Sequence, residues 1–302
     1  MSNYNIIFMG TPEFAVYSLK SLINNGHNVI AVITAPDKPS GRRRKLNFSA
    51  VKSFCIKKKL KFFQPKNLKD QLFINKLKLL NADIQVVVAF RKLPKVIWDM
   101  PKLGTFNLHA SLLPKYRGAA PINWALINGE KETGVTTFLI NEEIDTGKIL
   151  LQKKIKIKDD ENAGTIHDKL MVVGSDIICD TIDNFKTIDK KSQLGTPTFA
   201  PKIFKNDCEI DWNKNVNEIF NKIRGLSPYP SAWCNFLNNK TIKIFKSESE
   251  LFEHNLKIGQ ILSDNKTYLK FAAKNGFIKV LELQLEGKRK VSVEEFLRGY
   301  KI

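Results

Sequence analysis

The sequence has few cysteines and no long apolar run, and each shortage excludes a class of protein. Its four cysteines, Cys55, Cys179, Cys208 and Cys234, are scattered without a CxxC pair or a Cys/His cluster. Neither a structural zinc site nor a disulfide framework is therefore expected, and a reducing cytoplasm fits. No apolar stretch approaches the roughly 18 residues that a membrane-spanning helix requires. The beginning, MSNYNIIFMGTPEF, lacks a basic segment followed by an apolar one, so we expect no secretory signal and a cytoplasmic protein without a membrane partner.

Acidic residues are also scarce. Only 30 Asp and Glu stand against 49 Lys and Arg in 302 residues, which gives a net charge of +19. A field of that size attracts polyanions such as nucleic acid over a wide surface, although a lysine-rich solvated surface without a specific partner has the same composition. With 43% hydrophobic residues, the chain has enough apolar material for one large domain or two ordinary ones.

Strands and helices alternate in the first part of the chain. Residues 5–9 (NIIFM) are typical of a short buried strand, a helix follows to residue 25, and residues 28–34 (NVIAVIT) form a second strand. Such a β-α-β unit predicts parallel pairing in an α/β sheet. Further strands are predicted at residues 83–90, 104–110 and 134–140.

The pattern changes after a long helix predicted over residues 163–185. The next twenty residues mix charge with glycine, proline and threonine and have no periodicity, which is typical of a linker. Short strands and turns then predict a small β-rich barrel. We therefore predict a first domain over residues 1–186, a linker over 187–206 and a second domain over 207–302.

The sequence also lacks a dinucleotide fingerprint. Gly10 ends the first predicted strand, but TPEFA follows it, whereas that fingerprint requires GxGxxG. A Rossmann-type dinucleotide site is therefore not expected.

Three polar residues follow or end predicted strands. Asn107 and His109 lie two apart on one strand, so their side chains face the same way, and Asp145 follows the next strand. The carboxyl ends of strands in an open α/β sheet border the ligand crevice. An amide, an imidazole and a carboxylate that converge there suit acyl transfer. A histidine in a strand is also commonly a structural residue, and Asp145-Thr146-Gly147 is also a simple turn, so the spacing alone leaves both interpretations open.

Several longer motifs carry a family resemblance. They occur in the order IIFMGTPEFA, VITAPDKPSGRRRKL, FNLHASLLPKYRGAAPINWAL, GVTTFLINEEIDTGKIL, FAPKI, IRGLSPYPSAW and ELQLEGKRKVSVEEFLRG. Together they span residues 6 to 299 and closely resemble the folate-dependent formyltransferases. The GTPEF start, the basic loop and the C-terminal segments narrow the resemblance to the members that act on methionyl-tRNA.

The resemblance implies a Rossmann-like formyltransferase domain followed by an OB-like β-barrel that helps to hold tRNA. It implies formyl transfer from 10-formyltetrahydrofolate to the α-amine of initiator methionyl-tRNA, with no metal, and we expect a monomer. The catalytic residues of the family fall on Asn107, His109 and Asp145. Its folate-contacting segment falls on Ser111, Leu112, Leu113 and Pro114.

The basic segment DKPSGRRRKL is the candidate tRNA contact in the first domain. A run of like charges is commonly only a solvated loop, but the resemblance implies a loop that contacts the tRNA acceptor stem. Arg117, which precedes a predicted helix over residues 119–127, is either a structural cation or a further tRNA contact. The candidate tRNA-binding residues are Arg42, Arg43, Arg44, Lys45 and Arg117.

The sequence departs from the family pattern at two loops. Residues 90–94 read Phe-Arg-Lys-Leu-Pro, where many members have an aromatic-glycine pair and one more residue in a loop that lines the pterin pocket. Glu143-Ile144 replace the glycine that is common before the Asp-Thr-Gly motif, where we expect only a local difference in the turn.

Three alternatives remain open. They are another folate-dependent formyltransferase with a small acceptor, a folate hydrolase with the same fold, and a non-catalytic RNA-binding relative. The basic loop argues against the first two, which need no polyanion-binding surface. The intact set of Asn107, His109 and Asp145 argues against the third.

Overall fold

The computed structural model of the protein describes residues 4–40, 45–237 and 240–302. In chain order the strands are β1 (Ile6–Gly10), β2 (Val29–Ile33), β3 (Lys38–Ser40), β4 (Lys45–Asn47), β5 (Phe62–Phe63), β6 (Ile84–Val88), β7 (Thr105–His109), β8 (Arg117–Gly118), β9 (Glu132–Leu139), β10 (Ile149–Lys156), β11 (Phe199–Ala200), β12 (Ala232–Asn235), β13 (Thr241–Leu251), β14 (Ile261–Ser263), β15 (Leu269–Ala273), β16 (Gly276–Leu285) and β17 (Val291–Ser292). The helices are α1 (Glu13–Asn24), α2 (Ala50–Lys58), α3 (Gln71–Lys78), α4 (Lys95–Trp98), α5 (Pro121–Ile127), α6 (Ala163–Asp183), α7 (Val216–Leu226) and α8 (Val293–Gly299). None of the helices in the described ranges is long and apolar enough to span a bilayer.

The chain forms two compact units. The first comprises Met1–Gly118, Thr133–Ile155 and His167–Phe199, and the second comprises Ala119–Glu132, Lys156–Ile166 and Ala200–Ile302. The second unit therefore includes two segments that lie within the predicted first domain. One reason is that α5 packs closely on α7: a Cβ at Gly225 would lie 2.9 Å from the backbone nitrogen of Ile127. The predicted boundaries at residues 186 and 206 stay a prediction.

A seven-stranded sheet forms the centre of the first unit, in the order β10-β9-β7-β6-β1-β2-β5. β1 is parallel to β2 and β6, β6 is parallel to β7, and β9 is antiparallel to β7. Residues 6–9 of β1 are each 0% exposed, as expected for a parallel strand that is covered on both faces. The parallel β-α-β unit predicted at the start of the chain is confirmed.

Gly10 closes β1 where α1 approaches the sheet. A Cβ at this position would lie 2.5 Å from the Cβ of Ala15 and 3.0 Å from the carbonyl oxygen of Val88. Only glycine leaves room for that approach. This close packing explains why a glycine ends β1 although the sequence has no dinucleotide fingerprint. The carboxyl ends of β1, β6 and β7 thus lie at one edge of the sheet, close to the start of α1.

The second unit contains an antiparallel sheet in the order β12-β13-β16-β15-β14, with β17 paired to β16. Its core includes Ile244, Phe271 and Leu283, each at most 1% exposed. α7 begins with a capping box and buries Val216, Ile219 and Ile223 in the same core. The predicted change from an α/β domain to a β-rich second domain is confirmed.

Candidate active site

β7 presents polar side chains on one face and apolar side chains on the other. Phe106 and Leu108 are 0% and 4% exposed, and Leu108 lies against Gly174 of α6, where a Cβ would approach it to 2.8 Å. Asn107 and His109 alternate with these residues and share the opposite face. The His109 ring meets Phe138 edge-on at 6.4 Å between ring centroids, and Phe138 is the β9 partner of Asn107.

The two ring nitrogens of His109 have different partners. Nε2 lies 2.8 Å from the carbonyl oxygen of Tyr116, and because a carbonyl only accepts, Nε2 carries a proton and donates it. Nδ1 lies 3.8 Å from Oδ2 of Asp145, which is too long for a hydrogen bond and within the range of an ion pair. His109 and Asp145 side chains are only 6% and 14% exposed, so little water screens this contact. Nδ1 is therefore the nitrogen at which a proton can be held or released.

Asp145 sits in a tight turn that constrains its backbone. Its φ is +58°, a left-handed conformation that aspartate tolerates better than most residues. Oδ2 accepts a hydrogen bond of 2.8 Å from the backbone N–H of Gly118. Two residues later, a Cβ at Gly147 would lie 1.6 Å from the carbonyl oxygen of Leu139, so glycine is required there. The Asp-Thr-Gly motif is thus a turn whose geometry aims a carboxylate at His109.

The side-chain amide of Asn107 lies on the same face of β7 as His109 and is half-buried. Within the described ranges, the protein makes no hydrogen bond to this amide. A half-buried amide of this kind can donate to a ligand oxygen without breaking an existing bond.

The segment Ser111 to Pro114 forms a turn that other residues hold from behind. The Ser111 hydroxyl donates to the carbonyl oxygen of Lys115 (2.6 Å), and the side-chain amide of Gln152 donates to the carbonyl oxygen of Leu113 (2.8 Å). Ser111 and Leu113 are 0% and 3% exposed, whereas Leu112 and Pro114 are half-buried. Leu112 and Pro114 therefore present apolar surface, while Ser111 and Leu113 support the turn; the folate contact of all four stays a prediction.

The loop after β6 is fixed by an arginine. The Arg91 guanidinium donates to the carbonyl oxygens of Pro65 and Lys66, the latter at 2.9 Å. Partial burial lowers the pKa of Arg91 from its usual value. Ala89, just before this loop, has φ +47°. Arg91 thus anchors this loop to residues 65 and 66.

The structure describes only some of the candidate tRNA-binding residues. Arg42, Arg43 and Arg44 lie outside the described residues. Lys45 begins β4, whose backbone pairs with β3 in an antiparallel hairpin. The guanidinium of Arg117 donates to Oε1 of Gln193 from Nε (3.1 Å) and Nη2 (2.6 Å), so Arg117 has the structural contact that the sequence left open.

Sequence reasoning missed the residues that hold the catalytic candidates in place. The partners are backbone groups of Tyr116 and Gly118, the side chain of Gln193, and Thr198, which binds the backbone N–H groups of Tyr116 and Arg117. Gln193 and Thr198 lie in the segment predicted as a linker. Bonds to backbone groups need no periodic sequence pattern, so no signal pointed to these residues.

In the described part of the chain, no group of three or more His, Cys, Asp or Glu side chains is arranged to hold a metal ion. The four cysteines are buried and unpaired.

Comparison with known proteins places the chain in a family. Residues 4–182 match the sequence model of the formyl transferase family, and residues 202–301 match that of the formyl transferase C-terminal domain. The methionyl-tRNA formyltransferase of Flavobacterium johnsoniae is 52% identical over 308 residues, which cover 99% of this chain and 97% of the relative. That of Bacteroides thetaiotaomicron is 48% identical and covers 98% of this chain and 96% of the relative.

Solved structures with the same fold have more distant sequences. An N-formyltransferase from Helicobacter canadensis, in complex with folinic acid and dTDP-3-aminofucose, has a TM-score of 0.69 at 22% identity, covering 95% of this chain and all of that one. HypX from Aquifex aeolicus, in complex with tetrahydrofolic acid, has a TM-score of 0.67 at 18% identity over 99% of this chain, which spans about half (48%) of HypX. At these identities the likeness concerns the fold. The family models and the relatives near 50% identity confirm the resemblance seen in the motifs: this chain belongs to the formyl transferase family and, within it, to the methionyl-tRNA formyltransferases.

Proposed function

We propose that this chain transfers the formyl group of 10-formyltetrahydrofolate to the α-amine of initiator methionyl-tRNA and so supplies formylmethionyl-tRNA for translation initiation. Family membership supports the reaction. The observation that carries the assignment of the site is the arrangement of His109: Nε2 is bound to a backbone carbonyl and Nδ1 faces Asp145. The neighbouring Asn107 amide is available to a ligand.

The nucleophile of this reaction, an α-amine, needs little activation. A free α-amine has a pKa of about 7.7–8.0, and an adjacent ester lowers it, so a substantial fraction is unprotonated near neutral pH. The harder tasks are stabilising the negative charge that builds on the formyl oxygen and moving two protons. The site therefore needs donors and a proton carrier rather than a strong base.

The three polar residues meet these needs. The Asn107 amide donates to the formyl oxygen, where a hydrogen bond is worth most as charge develops. His109, protonated at both nitrogens, is a second donor through Nδ1 and passes that proton to the leaving nitrogen. Asp145 faces Nδ1 of His109 through its carboxylate and accepts the proton released by the amine, through water.

The formyl donor supplies an activated one-carbon unit. The residues around the site fit such a group, because the Asn107 amide has no partner in the described protein and Leu112 and Pro114 leave apolar surface half-exposed. We assign Ser111 to Pro114 to the folate side of the site, with Leu112 and Pro114 in contact and the other two as support.

We assign the tRNA to the basic surfaces. Arg42, Arg43, Arg44 and Lys45 contact phosphates of the acceptor stem, and Arg117 contacts the acceptor end. Residues 207–302 form an OB-like barrel that helps to hold the tRNA, joined through a linker over 187–206, and the protein acts as a monomer. The net charge of +19 supports a polyanionic substrate.

A comparison of acceptors tests the function. Formyl transfer from 10-formyltetrahydrofolate is measured with initiator methionyl-tRNA, elongator methionyl-tRNA, free methionine and an amino-sugar nucleotide. We expect kcat/KM to be highest for initiator methionyl-tRNA, by about two orders of magnitude or more over free methionine. The elongator tRNA is the matched control, since it carries the same amino acid. A preference for the sugar or for free methionine contradicts the assignment.

A further inference from the structure

The side chain of Gln193 forms hydrogen bonds both with Arg117 and with the turn that carries Asp145. Gln193 accepts hydrogen bonds from Nε and Nη2 of Arg117 at Oε1 (3.1 and 2.6 Å). Through Nε2 it donates to the carbonyl oxygens of Asp145 and Gly147, both at 2.9 Å. The orientation of the amide is therefore fixed, because only nitrogen can donate to two carbonyls and only oxygen can accept from a guanidinium.

The contacts of Gln193 close a ring around the Asp145 carboxylate. Gln193 holds the backbone of Asp145 directly. It also holds Arg117, whose neighbour Gly118 donates its backbone N–H to Oδ2 of Asp145 (2.8 Å). Gln193 therefore fixes both the backbone of Asp145 and the residue next to Gly118, which donates a hydrogen bond to the carboxylate.

The turn that carries Asp145 needs such support. Asp145 has φ +58°, a conformation that costs a non-glycine residue free energy and that persists when the surroundings determine it. The two carbonyls that Gln193 binds lie on either side of Thr146, so the amide fixes the turn at two points. A shift of this turn would move Oδ2 relative to Nδ1 of His109, which are now 3.8 Å apart.

The same segment also supports His109. The Thr198 hydroxyl accepts from the backbone N–H of Tyr116 (2.9 Å), and the Thr198 carbonyl oxygen accepts from the N–H of Arg117 (2.9 Å). The carbonyl oxygen of Tyr116 in turn accepts from Nε2 of His109. Residues 193–198 thus hold the partners of His109 and Asp145.

We propose that Gln193 is a positioning residue for formyl transfer, which acts by holding the Asp145 turn against His109. The proposal rests on the catalytic role proposed for Asp145. Because Gln193 acts through another side chain, its loss lowers kcat while KM for 10-formyltetrahydrofolate changes little. A misplaced catalytic group commonly costs about 10- to 100-fold in rate.

Two substitutions separate the contacts of Gln193. Gln193→Ala removes all of them, whereas Gln193→Glu keeps an oxygen for Arg117 and places a second oxygen against the carbonyls of Asp145 and Gly147. We expect both variants to lose about 10- to 100-fold in kcat. A matched control is Asn184→Ala, because Asn184 also donates an amide hydrogen to a backbone carbonyl in the first unit (Asp180, 2.9 Å) but does not contact the site; its kcat stays unchanged.

A double-mutant cycle with Asp145→Ala decides whether Gln193 acts through Asp145. If it does, Gln193→Ala lowers kcat in the wild-type background and has almost no further effect once Asp145 is gone. Losses that multiply, or wild-type kcat in both Gln193 variants, overturn the proposal. An Asp145→Ala variant with normal kcat instead refutes the catalytic role of Asp145, so the two failures are distinguished. Should Gln193→Ala fold poorly, as judged by its melting temperature, the cycle is run with Gln193→Glu and read in the same way.

Discussion

β7 and the segment at residues 193–198 both hold the candidate active site, but they do so by different means. β7 is fixed by backbone ladders to β6 and β9, and strand alternation alone puts Asn107 and His109 on one face. The segment at 193–198 has no such ladder with the central sheet. It holds its neighbours through one amide and one threonine, bound to backbone groups and to Arg117.

This difference explains why only part of the site can be predicted from the sequence. A strand that pairs on both sides and is covered on both faces is mostly apolar, so the polar residues Asn107 and His109 around Leu108 stand out. A side chain that caps carbonyls imposes no pattern on its neighbours. Asn107 and His109 come from a regular strand, whereas the placement of Asp145 against His109 depends on irregular turns.

The largest effects are expected when the chemical groups themselves are removed and both supports stay intact. Asn107→Ala and Asp145→Asn should each lower kcat by about two orders of magnitude or more, the scale for one oxyanion donor or one acid–base group. Asp145→Asn keeps an oxygen that can accept from the N–H of Gly118, so the turn should persist. Steady-state kinetics with initiator methionyl-tRNA measure the loss. Wild-type kcat in either variant would remove that residue from the mechanism.

A change in the turn that Gln193 binds should damage stability and rate together. Gly147→Ala would place a Cβ 1.6 Å from the carbonyl oxygen of Leu139, so the backbone must move. We expect a loss of about 2 kcal/mol in the free energy of unfolding and a lower kcat in the protein that folds. Denaturant unfolding measures the first quantity. Gly299→Ala is the stability control, because a Cβ there has no neighbour within 4 Å, and its unfolding midpoint should not fall.

The basic loop offers a contrast, since it should affect substrate binding and leave the catalytic geometry alone. Changing Arg42, Arg43 and Arg44 together to Ala should weaken tRNA binding. It should also reduce the slope of log affinity against log salt by about one unit for each phosphate that the loop no longer neutralises. Folate affinity should stay unchanged. Filter binding or fluorescence titration between low and moderate salt measures the slope.

A charge-matched control separates the loop from the general field of the protein. It lowers the net charge equally at three exposed lysines on other elements, Lys57, Lys58 and Lys76. If this control flattens the salt dependence as much as the loop variant does, the loop is ordinary charged surface.

The smallest effect is expected at Arg117, which binds Gln193 and precedes Gly118. Arg117→Ala removes the guanidinium but leaves the bonds from Gln193 to the Asp145 turn in place. If Arg117 also contacts tRNA, KM for tRNA should rise several-fold while kcat and the melting temperature change little. A lower melting temperature with unchanged KM would instead make its contact with Gln193 its whole role.

Much of the fold follows from the sequence for physical reasons. Apolar residues at 6–9 and the turn at Gly10 predict the parallel β-α-β unit, and the loss of periodicity after residue 185 predicts a second, β-rich domain. The extent of the second compact unit was not predictable, because Ala119–Glu132 and Lys156–Ile166 join it through packing that is distant in sequence. In the site, strand alternation predicts that Asn107 and His109 face the same way. The bond that fixes which His109 nitrogen faces Asp145 goes to the backbone carbonyl of Tyr116, and such a bond carries no sequence signature.

The central claim is that Nδ1 of His109 performs the proton chemistry while Nε2 only anchors the ring. Its most direct test is the single-turnover rate of formyl transfer to initiator methionyl-tRNA by His109→Gln, whose amide nitrogen can replace Nε2 in the bond to the Tyr116 carbonyl but has nothing at the position of Nδ1. The account predicts a folded protein, with a melting temperature close to that of the wild type and normal tetrahydrofolate affinity, and a rate lower by about 100-fold or more. A folded His109→Gln variant that transfers the formyl group at the wild-type rate would contradict the account.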